Sequence, residues 1–426
     1  MEYRLTRLPN GLRVLAVPMR ERDSAAVAIW VRAGSRYEIK KISGISHFLE
    51  HMLFKGTKKR NTRQIKEEIE GAGGLLNAFT GEESTCYFAK LLKEHYPRAL
   101  DVLSDIVNEA TLLPKEVQKE RAVILEEIKM YRDLPSHHVH DLMGELLWPN
   151  HPLGRNIAGC PETVSAMSRA EMVRYKKEHY HPKNILVSVA GPVGYEDVVE
   201  RTQSFFTQQS ARAASWFSKA DSRQTKPRTL LIEKQTEQTH FVVGLHGLSR
   251  FHPDRYKLGL LNVILGANMS SRLFEEVREK RGLAYEIRSG ASFYQDAGSF
   301  TVSAGVEAKK APKAIAVILR ELAKMTEKDV KAGELRRAQD YFMSQLYLAL
   351  EDTLEHLLWA GERVLDRGEA PDAGEIRRGI EAVTAPEVRE AAGRIFKTSN
   401  LNLTLIGPIP SKVQRQIKRD FELNAR

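Results

Sequence analysis

The chain has 426 residues, 42% of them hydrophobic, and 65 basic against 55 acidic side chains give it a net charge of +10. No apolar run approaches the roughly 18 residues that cross a bilayer, so the composition favours a soluble globular protein of two or more domains and excludes a helical membrane protein. The basic residues cluster at 55–66 and 412–426 without interleaved aromatic residues. We interpret them as solvated helix faces and expect neither a nucleic-acid nor a membrane partner.

The first residues and the cysteines predict the compartment. Residues 1–11 contain no charged segment followed by an apolar one, so no secretory signal is expected. Cys86 and Cys160 are too few for a disulfide framework and are expected to be buried thiols. A reducing, cytoplasmic location fits these features best.

The first elements in chain order lead to a metal-binding pattern. Strands are predicted at 13–17 and 26–33, and an apolar helix carrying His47, Glu50 and His51 follows them. Residues four apart share a helix face, so His47 and His51 can direct both imidazoles at one ion. Glu50 lies at the rim of that face, where it can take a proton from a water polarised by the ion. The spacing His-x-x-Glu-His is the inverted zincin pattern.

A structural explanation of these three residues competes with the catalytic one. A lone histidine in a protein core is commonly satisfied by a single hydrogen bond, and chance alone produces the five-residue pattern in roughly a few per cent of chains. Here, however, two imidazoles and a carboxylate are surrounded by apolar residues: Ile45, Phe48, Leu49, Met52, Leu53 and Phe54. Three polar groups in such a helix need partners, which favours a metal ion.

The next elements supply candidates for a third ligand, since a catalytic zinc usually has three protein ligands. Their patterns predict strands at 75–79 and 84–91 and helices at 96–107 and 114–131. In the last helix Glu120 and Glu127 fall on one stripe with apolar residues, whereas Glu126 falls off it. Both Glu120 and Glu127 are therefore candidates for buried carboxylates that need a cation.

A polar segment at 206–228 predicts a linker between domains at 1–205 and 229–426. The second half repeats the element order of the first at an offset of about 213 to 215, with strands at 230–233, 239–245, 284–293 and 299–306 and helices at 256–265 and 312–322. The sequence thus predicts a duplicated α+β architecture. Leucines and other apolar residues at 260–265 replace the histidine helix, so only the first half can hold the metal.

These motifs resemble the pitrilysin-type zinc peptidases, a group that includes mitochondrial processing peptidase and short bacterial relatives. In that family a glutamate about 76 residues after the second histidine completes the site, and Glu127 lies 76 residues after His51. The resemblance therefore implies one Zn²⁺ per chain held by His47, His51 and Glu127. It also implies that Glu120 orients a ligand from behind.

Two further segments carry the resemblance. Residues 77–80, Asn-Ala-Phe-Thr, are similar to the edge strand that pairs with an extended substrate in this family, which implies that Asn77 and Ala78 contact the peptide. Without the family, a hairpin turn explains the same residues. The segment 277–285 resembles the family's Arg/Tyr pair, which implies that Arg278 and Tyr285 hold the scissile carbonyl from the second domain. A surface arginine and a strand tyrosine are the structural alternative.

The resemblance implies a zinc-dependent endopeptidase with Glu50 as general base, acting on flexible peptides. Each domain is expected to have a mostly antiparallel sheet packed with helices, and the chain to form half of a clamshell-shaped peptidase chamber. A homodimer is then the economical arrangement, and a heterodimer with an inactive homologue is the other. The alternative function is a non-catalytic peptide-binding or scaffold subunit of a complex like the processing peptidase.

Overall fold

The computed structural model describes residues 2–209 and 216–423, which divide into two compact units. The first unit comprises Met1–Ile128, Arg155–Ser218 and Tyr347–Asp372, and the second comprises Lys129–Gly154, Lys219–Leu346 and Ala373–Arg426. Each unit therefore contains one segment from the other half of the sequence: 347–372 in the first unit and 129–154 in the second.

The first unit is built on a six-stranded sheet. Its strands are β1 (Arg4–Arg7), β2 (Arg13–Pro18), β3 (Ser24–Val31), β4 (Leu75–Thr80), β5 (Thr85–Leu92) and β6 (Ile185–Gly191). They lie in the order β1-β2-β6-β3-β5-β4, and every neighbouring pair is antiparallel except β2 and β6. Strand β4 is thus at an edge of the sheet.

The second unit is built on a five-stranded sheet. Its strands are β7 (Arg228–Glu233), β8 (Thr239–His246), β9 (Ala284–Phe293), β10 (Gly298–Val306) and β11 (Asn402–Gly407). Their order is β7-β11-β8-β10-β9, with β7 and β11 parallel and the other pairs antiparallel. This order and these directions match β2-β6-β3-β5-β4 strand for strand, as expected of a duplicated domain.

The described residues of the two units form fifteen α-helices. They are α1 (Ile45–Leu53), α2 (Thr62–Glu70), α3 (Tyr96–Glu109), α4 (Pro114–Asp133), α5 (Pro135–Leu147), α6 (Pro161–Ala166), α7 (Arg169–His179), α8 (Tyr195–Phe205), α9 (Arg255–Leu265), α10 (Ala311–Glu327), α11 (Ala332–Glu351), α12 (Thr353–Arg367), α13 (Ala373–Glu381), α14 (Ala385–Ile395) and α15 (Ser411–Leu423). A short π-helical segment spans Phe274–Glu279.

In the first unit the sheet is covered on both faces. One face and helices α1, α3, α4, α7 and α8 enclose the larger core, which includes Val27, Ile29 and Phe48. The opposite face packs against α12, through Leu357 and the ring of Trp30 among others. A Cβ on Gly361 of α12 would lie 2.3 Å from Trp30 Nε1, so glycine is required for this close approach.

The second unit repeats this layering. Helix α5 packs its buried residues Val139, Leu142 and Met143 against Val242 of β8 and Ile406 of β11. Helices α9 and α10 contact strands β9 and β10, and α14 packs against both helices. A helix from a distant stretch of sequence therefore covers one sheet face in each unit, α12 in the first and α5 in the second.

The predicted α+β class and shared element order are confirmed, and each predicted strand and helix is present with its ends shifted by at most a few residues. The sheets are mostly antiparallel, as predicted, and each contains one parallel pair. The predicted linker at 206–228 includes residues 210–215, which lie outside the described residues, so the boundaries at 1–205 and 229–426 stay a prediction.

The structure also bears on the cysteines, and the expected burial is wrong for Cys160. Both cysteines are free thiols; Cys86 is buried, whereas Cys160 is partly exposed where α6 begins. Among the described residues, no helix combines the length and the apolar character that crossing a membrane requires.

Candidate metal centre

Helix α1 is anchored at its N-terminus before it carries the two histidines. Gly44 has a φ of 95°, in the left-handed region that favours glycine, and a Cβ there would lie 2.5 Å from the carbonyl oxygen of Ala158. The carboxylate of Glu38 accepts hydrogen bonds from the backbone N–H groups of Gly44 at 2.8 Å and Ser46 at 2.9 Å. It therefore satisfies N–H groups that no helical carbonyl can reach.

The apolar side of α1 fixes which way the histidines face. Phe48, Leu49 and Met52 are fully buried in the larger core, whereas His47 and His51 are only partly buried. Helix α4 faces them with a stripe in which Glu120 is buried and Glu127 is partly buried. The two helices thus bring the predicted residues to one place.

Ligand-type atoms of His47, His51 and Glu127 all lie within 4.8 Å of one another. The Nε2 atoms of His47 and His51 are each 3.6 Å from an oxygen of Glu127, one on each carboxylate oxygen. Atoms about 2.1 Å from a tetrahedral zinc ion lie about 3.4 Å apart, so this spacing fits three ligands of one ion. Over residues 2–209 and 216–423 this is the one group of three or more His, Cys, Asp or Glu residues with such geometry.

The chemistry of His47 also fits a metal ligand. Burial, with a smaller effect from the neighbouring His51, lowers the pKa of the His47 imidazole to about 4, so the ring is neutral at physiological pH. Its Nδ1 is buried and has no hydrogen-bond partner among the described residues, and Nε2 is too far from Glu127 for a hydrogen bond. A metal ion at Nε2 would supply a partner that the protein does not.

Glu120 lies behind His51 and is itself paired. Its Oε2 is 3.2 Å from His51 Nδ1, the nitrogen that faces away from Glu127, and its Oε1 is 2.6 Å from the ammonium of Lys55. A carboxylate on Nδ1 selects the tautomer that leaves Nε2 free for a metal. The side chain of Glu120 is only 8% exposed, so the Lys55 ammonium offsets the cost of burying its charge.

Glu50 occupies the rim of the same helix face. Burial raises the pKa of its carboxyl above the usual value, although the hydroxyl of Thr80, which donates to Glu50 Oε2 at 2.5 Å, acts in the opposite direction. A carboxylate with a raised pKa is a stronger proton acceptor when ionised. The arrangement is therefore suited to general-base chemistry beside the three ligand-type side chains.

Asn77 and Ala78 lie on edge strand β4, which has β5 on one side and, among the residues that the structure describes, no strand on the other. Asn77 is exposed, and its Oδ1 accepts a hydrogen bond of 2.8 Å from the backbone N–H of Ala78. Ala78 packs partly buried against the larger core. The unit thus has an open strand edge on the element that also carries Thr80.

Arg278 and Tyr285 lie in the second unit, and the structure brings them together there. The guanidinium of Arg278 donates to the carbonyl oxygen of Tyr285 at 2.7 Å and lies over the Tyr285 ring, 4.7 Å from its centroid. Arg278 also lies 4.7 Å from the centroid of Phe274 on the π-helical segment. Tyr285 as a whole residue is 76% exposed, so it lies open to solvent.

Three residues of this centre were missed from the sequence. Lys55 was grouped with solvated basic residues, and that interpretation is wrong for Lys55 and for Arg60, whose guanidinium pairs with Glu68, Asp101 and Asp105. Lys55 follows His51 by one helical turn, a spacing that could have pointed to a shared partner. Thr80 and Glu38 have no comparable spacing signal in the sequence. Thr80 contacts Glu50, 30 residues away, and Glu38 contacts Ser46 through a turn that has no regular period.

Comparison with known families agrees with the fold and the motif. Residues 13–161 match a family model described as insulinase (peptidase family M16), and residues 166–342 match one described as peptidase M16 inactive domain. The chain is 37% identical to a Bacillus subtilis (strain 168) protein named uncharacterized zinc protease YmxG, over 94% of this chain and 97% of that protein. It is also 37% identical to an uncharacterized zinc protease of Streptomyces coelicolor, over 96% of this chain and 90% of that protein.

Solved structures share the fold at lower sequence identity. A structure described as a protease from Helicobacter pylori superposes with a TM-score of 0.88 at 23% identity, covering 96% of this chain and 99% of that one. A structure from Pseudomonas fluorescens described as a peptidase M16 inactive domain has the same TM-score at 18% identity, covering 96% and 98%. At these identities the likeness concerns the fold.

The contact between Glu120 and His51 predicts an effect on zinc binding. In Glu120→Gln the side chain keeps its shape but loses the charge that favours the Nδ1–H tautomer of His51, so we expect zinc to bind about tenfold or more weakly. Competition with a chelating indicator measures the dissociation constant. The control is Glu126→Gln, an exposed position on the same helix. Equal zinc affinity in Glu120→Gln and the control would contradict this role.

The Glu38 carboxyl predicts a pH dependence of stability. Burial raises its pKa from 4.5 to about 7, so between these values the folded protein retains a proton that the unfolded chain has released. The free energy of unfolding therefore falls as the pH rises through this window, by about 3 kcal/mol from this group. In Glu38→Gln the loss is expected to disappear, as measured by urea unfolding with chelator present.

Other carboxyl groups contribute to the same pH profile, so the measured quantity is the difference between wild type and variant. Glu21→Gln removes an exposed carboxyl instead and serves as the control. A wild-type-minus-variant difference that stays flat from pH 4.5 to 7 would show that Glu38 is ionised in the folded protein.

Proposed function

Because the chain belongs to the insulinase family, peptidase family M16, we propose that it is a zinc-dependent endopeptidase that hydrolyses peptides or unfolded polypeptide segments. The single observation that carries this proposal is the cluster of His47, His51 and Glu127 with Glu50 on the same helix face. A non-catalytic scaffold subunit needs neither three converging ligand-type side chains nor a carboxylate beside them. The cluster therefore favours catalysis over the scaffold alternative.

The residues of the first unit have separate roles in this mechanism. His47, His51 and Glu127 would hold one Zn²⁺, and Glu120 would orient His51. The bound ion would supply Lewis-acid chemistry, polarising a water and the scissile carbonyl. Glu50 would accept the proton of the attacking water and pass it to the leaving amine, which requires its carboxylate to be ionised before each turnover.

The open edge of β4 would bind the substrate as an additional strand. Backbone groups of Asn77 and Ala78 can pair with any extended peptide, so this mode selects flexible segments more than particular side chains. The hydrogen bond from Ala78 N–H to Asn77 Oδ1 would have to open when a substrate carbonyl takes its place. Binding of a strand here would bring the peptide to the element that contacts Glu50.

We further propose that the chain acts as a homodimer in which Arg278 and Tyr285 of one copy complete the site of the other. Their guanidinium and hydroxyl are donors suited to the carbonyl oxygen that gains negative charge during water attack. The proposal rests on the family resemblance and on the exposure of Tyr285. A heterodimer with an inactive homologue is the other arrangement.

Glu50→Gln tests the base. The amide keeps the size of the side chain but cannot accept the proton, so we expect zinc content near one per chain and a peptide turnover at least about 100-fold lower. Metal analysis by atomic absorption and cleavage of a fluorogenic flexible peptide give the two measurements. The matched control is Glu70→Gln on an exposed position of α2, which should behave as wild type. Wild-type turnover in Glu50→Gln would refute the assignment.

Mixing inactive variants tests the shared site. Dimers formed from Glu50→Gln and Arg278→Ala chains contain one intact site if Arg278 acts across the dimer, so about a quarter of wild-type activity should return after co-expression. The control pair, Glu50→Gln with His47→Ala, damages the zinc side of both sites and should stay inactive. A species with a mass of 48.2 kDa that retains full activity would exclude both dimer arrangements.

A further inference from the structure

Thr80 is the last residue of the edge strand and reaches the proposed base. Its hydroxyl donates to Oε2 of Glu50 at 2.5 Å, across a separation of 30 residues in sequence. The other oxygen, Oε1, accepts no hydrogen bond from the residues that the structure describes. The contact thus fixes one oxygen of the carboxylate while the second is available to a water.

The alternation of β4 explains why Thr80 points at helix α1. Leu76, Ala78 and Thr80 share one face of the strand and are partly buried, and Leu76 and Ala78 pack against the core that contains α1. Phe79 points to the opposite face, where its ring contacts that of Trp30 at 5.7 Å between centroids. The alternation of the strand therefore places the hydroxyl of Thr80, two residues after Ala78, on the side of the strand that faces α1.

The turn after Thr80 is held firmly. Gly81 N–H donates to Ser84 O at 2.8 Å, and the backbone N–H of Arg36 donates to Glu82 O at 2.9 Å. The guanidinium of Arg36 is fully buried and pairs with Glu83 at 2.5 Å. These contacts give Thr80 a fixed backbone position, so its hydroxyl is presented by a rigid element.

We propose that Thr80 is a positioning residue for Glu50, through which the strand that receives the peptide also sets the orientation of the base. The inference rests on the proposed function. Ala78 and Thr80 are two residues apart on one rigid strand. Strand β4 would therefore position both the peptide that pairs along it and the carboxylate of Glu50. Misplacing a reacting group by about 1 Å can cost up to a hundredfold in rate, which is the effect that this contact would prevent.

The test compares Thr80→Val with Thr80→Ser. Valine keeps the β-branched shape and suits a strand but removes the hydroxyl, whereas serine keeps the hydroxyl. We expect kcat for a flexible peptide to fall at least about tenfold in Thr80→Val and to stay within about threefold of wild type in Thr80→Ser. Zinc affinity, measured with a chelating indicator, should be unchanged in both.

Peptide affinity separates positioning from a structural role. It is measured by fluorescence anisotropy in the Glu50→Gln background, where no cleavage occurs, and adding Thr80→Val should leave it within about twofold, because the backbone edge is intact. The control is Thr85→Val, which removes the hydroxyl of the residue directly opposite; that hydroxyl donates to Ala33 O instead of Glu50. Thr85→Val should not change kcat in its folded fraction.

Each outcome decides between the two hypotheses. Three outcomes would overturn the role of Thr80 while leaving the proposed function intact. They are a wild-type kcat in Thr80→Val, an equal loss of kcat in Thr80→Val and Thr80→Ser, and a loss of zinc or peptide affinity that parallels the loss of kcat. If zinc-loaded wild type cleaves peptides no faster than Glu50→Gln, the proposed function fails, and the role of Thr80 fails with it.

Discussion

The first unit depends on one constraint: the imidazoles of His47 and His51 and the carboxylate of Glu127 lie together in largely apolar surroundings. Phe48, Leu49 and Met52 bury one side of α1, and this leaves His47 and His51 facing the carboxylate of Glu127 on α4. Polar groups at such a depth are costly unless they are paired. Neighbouring polar groups are paired at three points: the N-terminus of α1, Nδ1 of His51 and the carboxylate of Glu50. His47 has no such partner among the described residues, which is why a metal ion suits it.

Periodicity explains why much of this centre was predictable. The histidines are four residues apart, and Glu120 and Glu127 fall on one helical stripe, so a pattern with a 3.6-residue period places them on facing surfaces. The choice of Glu127 over Glu120 needed the family spacing. In the structure Glu127 lies against both Nε2 atoms, and Glu120 lies against Nδ1 of His51.

The residues that escaped prediction act through tertiary contacts. Thr80 reaches Glu50 because β4 packs against α1, and Arg36 is buried where it pairs with Glu83 of the turn after β4. The cluster of basic residues in the sequence suggested a solvated Lys55, whereas its ammonium pairs with the buried carboxylate of Glu120. In the same way, no repeat in the sequence indicated that 129–154 and 347–372 each join the unit at the other end of the chain.

One face of the first sheet depends on a segment that is translated late. The sheet face that carries Trp30 is closed by α12, whose residues Leu357 and Val364 are synthesised more than 300 residues after β3. Until α12 has been translated, the apolar residues on that face of the sheet therefore lack their packing partners. The larger core, which contains α1, is drawn entirely from residues 8–206, so its sequence is complete long before α12 closes the opposite face of the sheet.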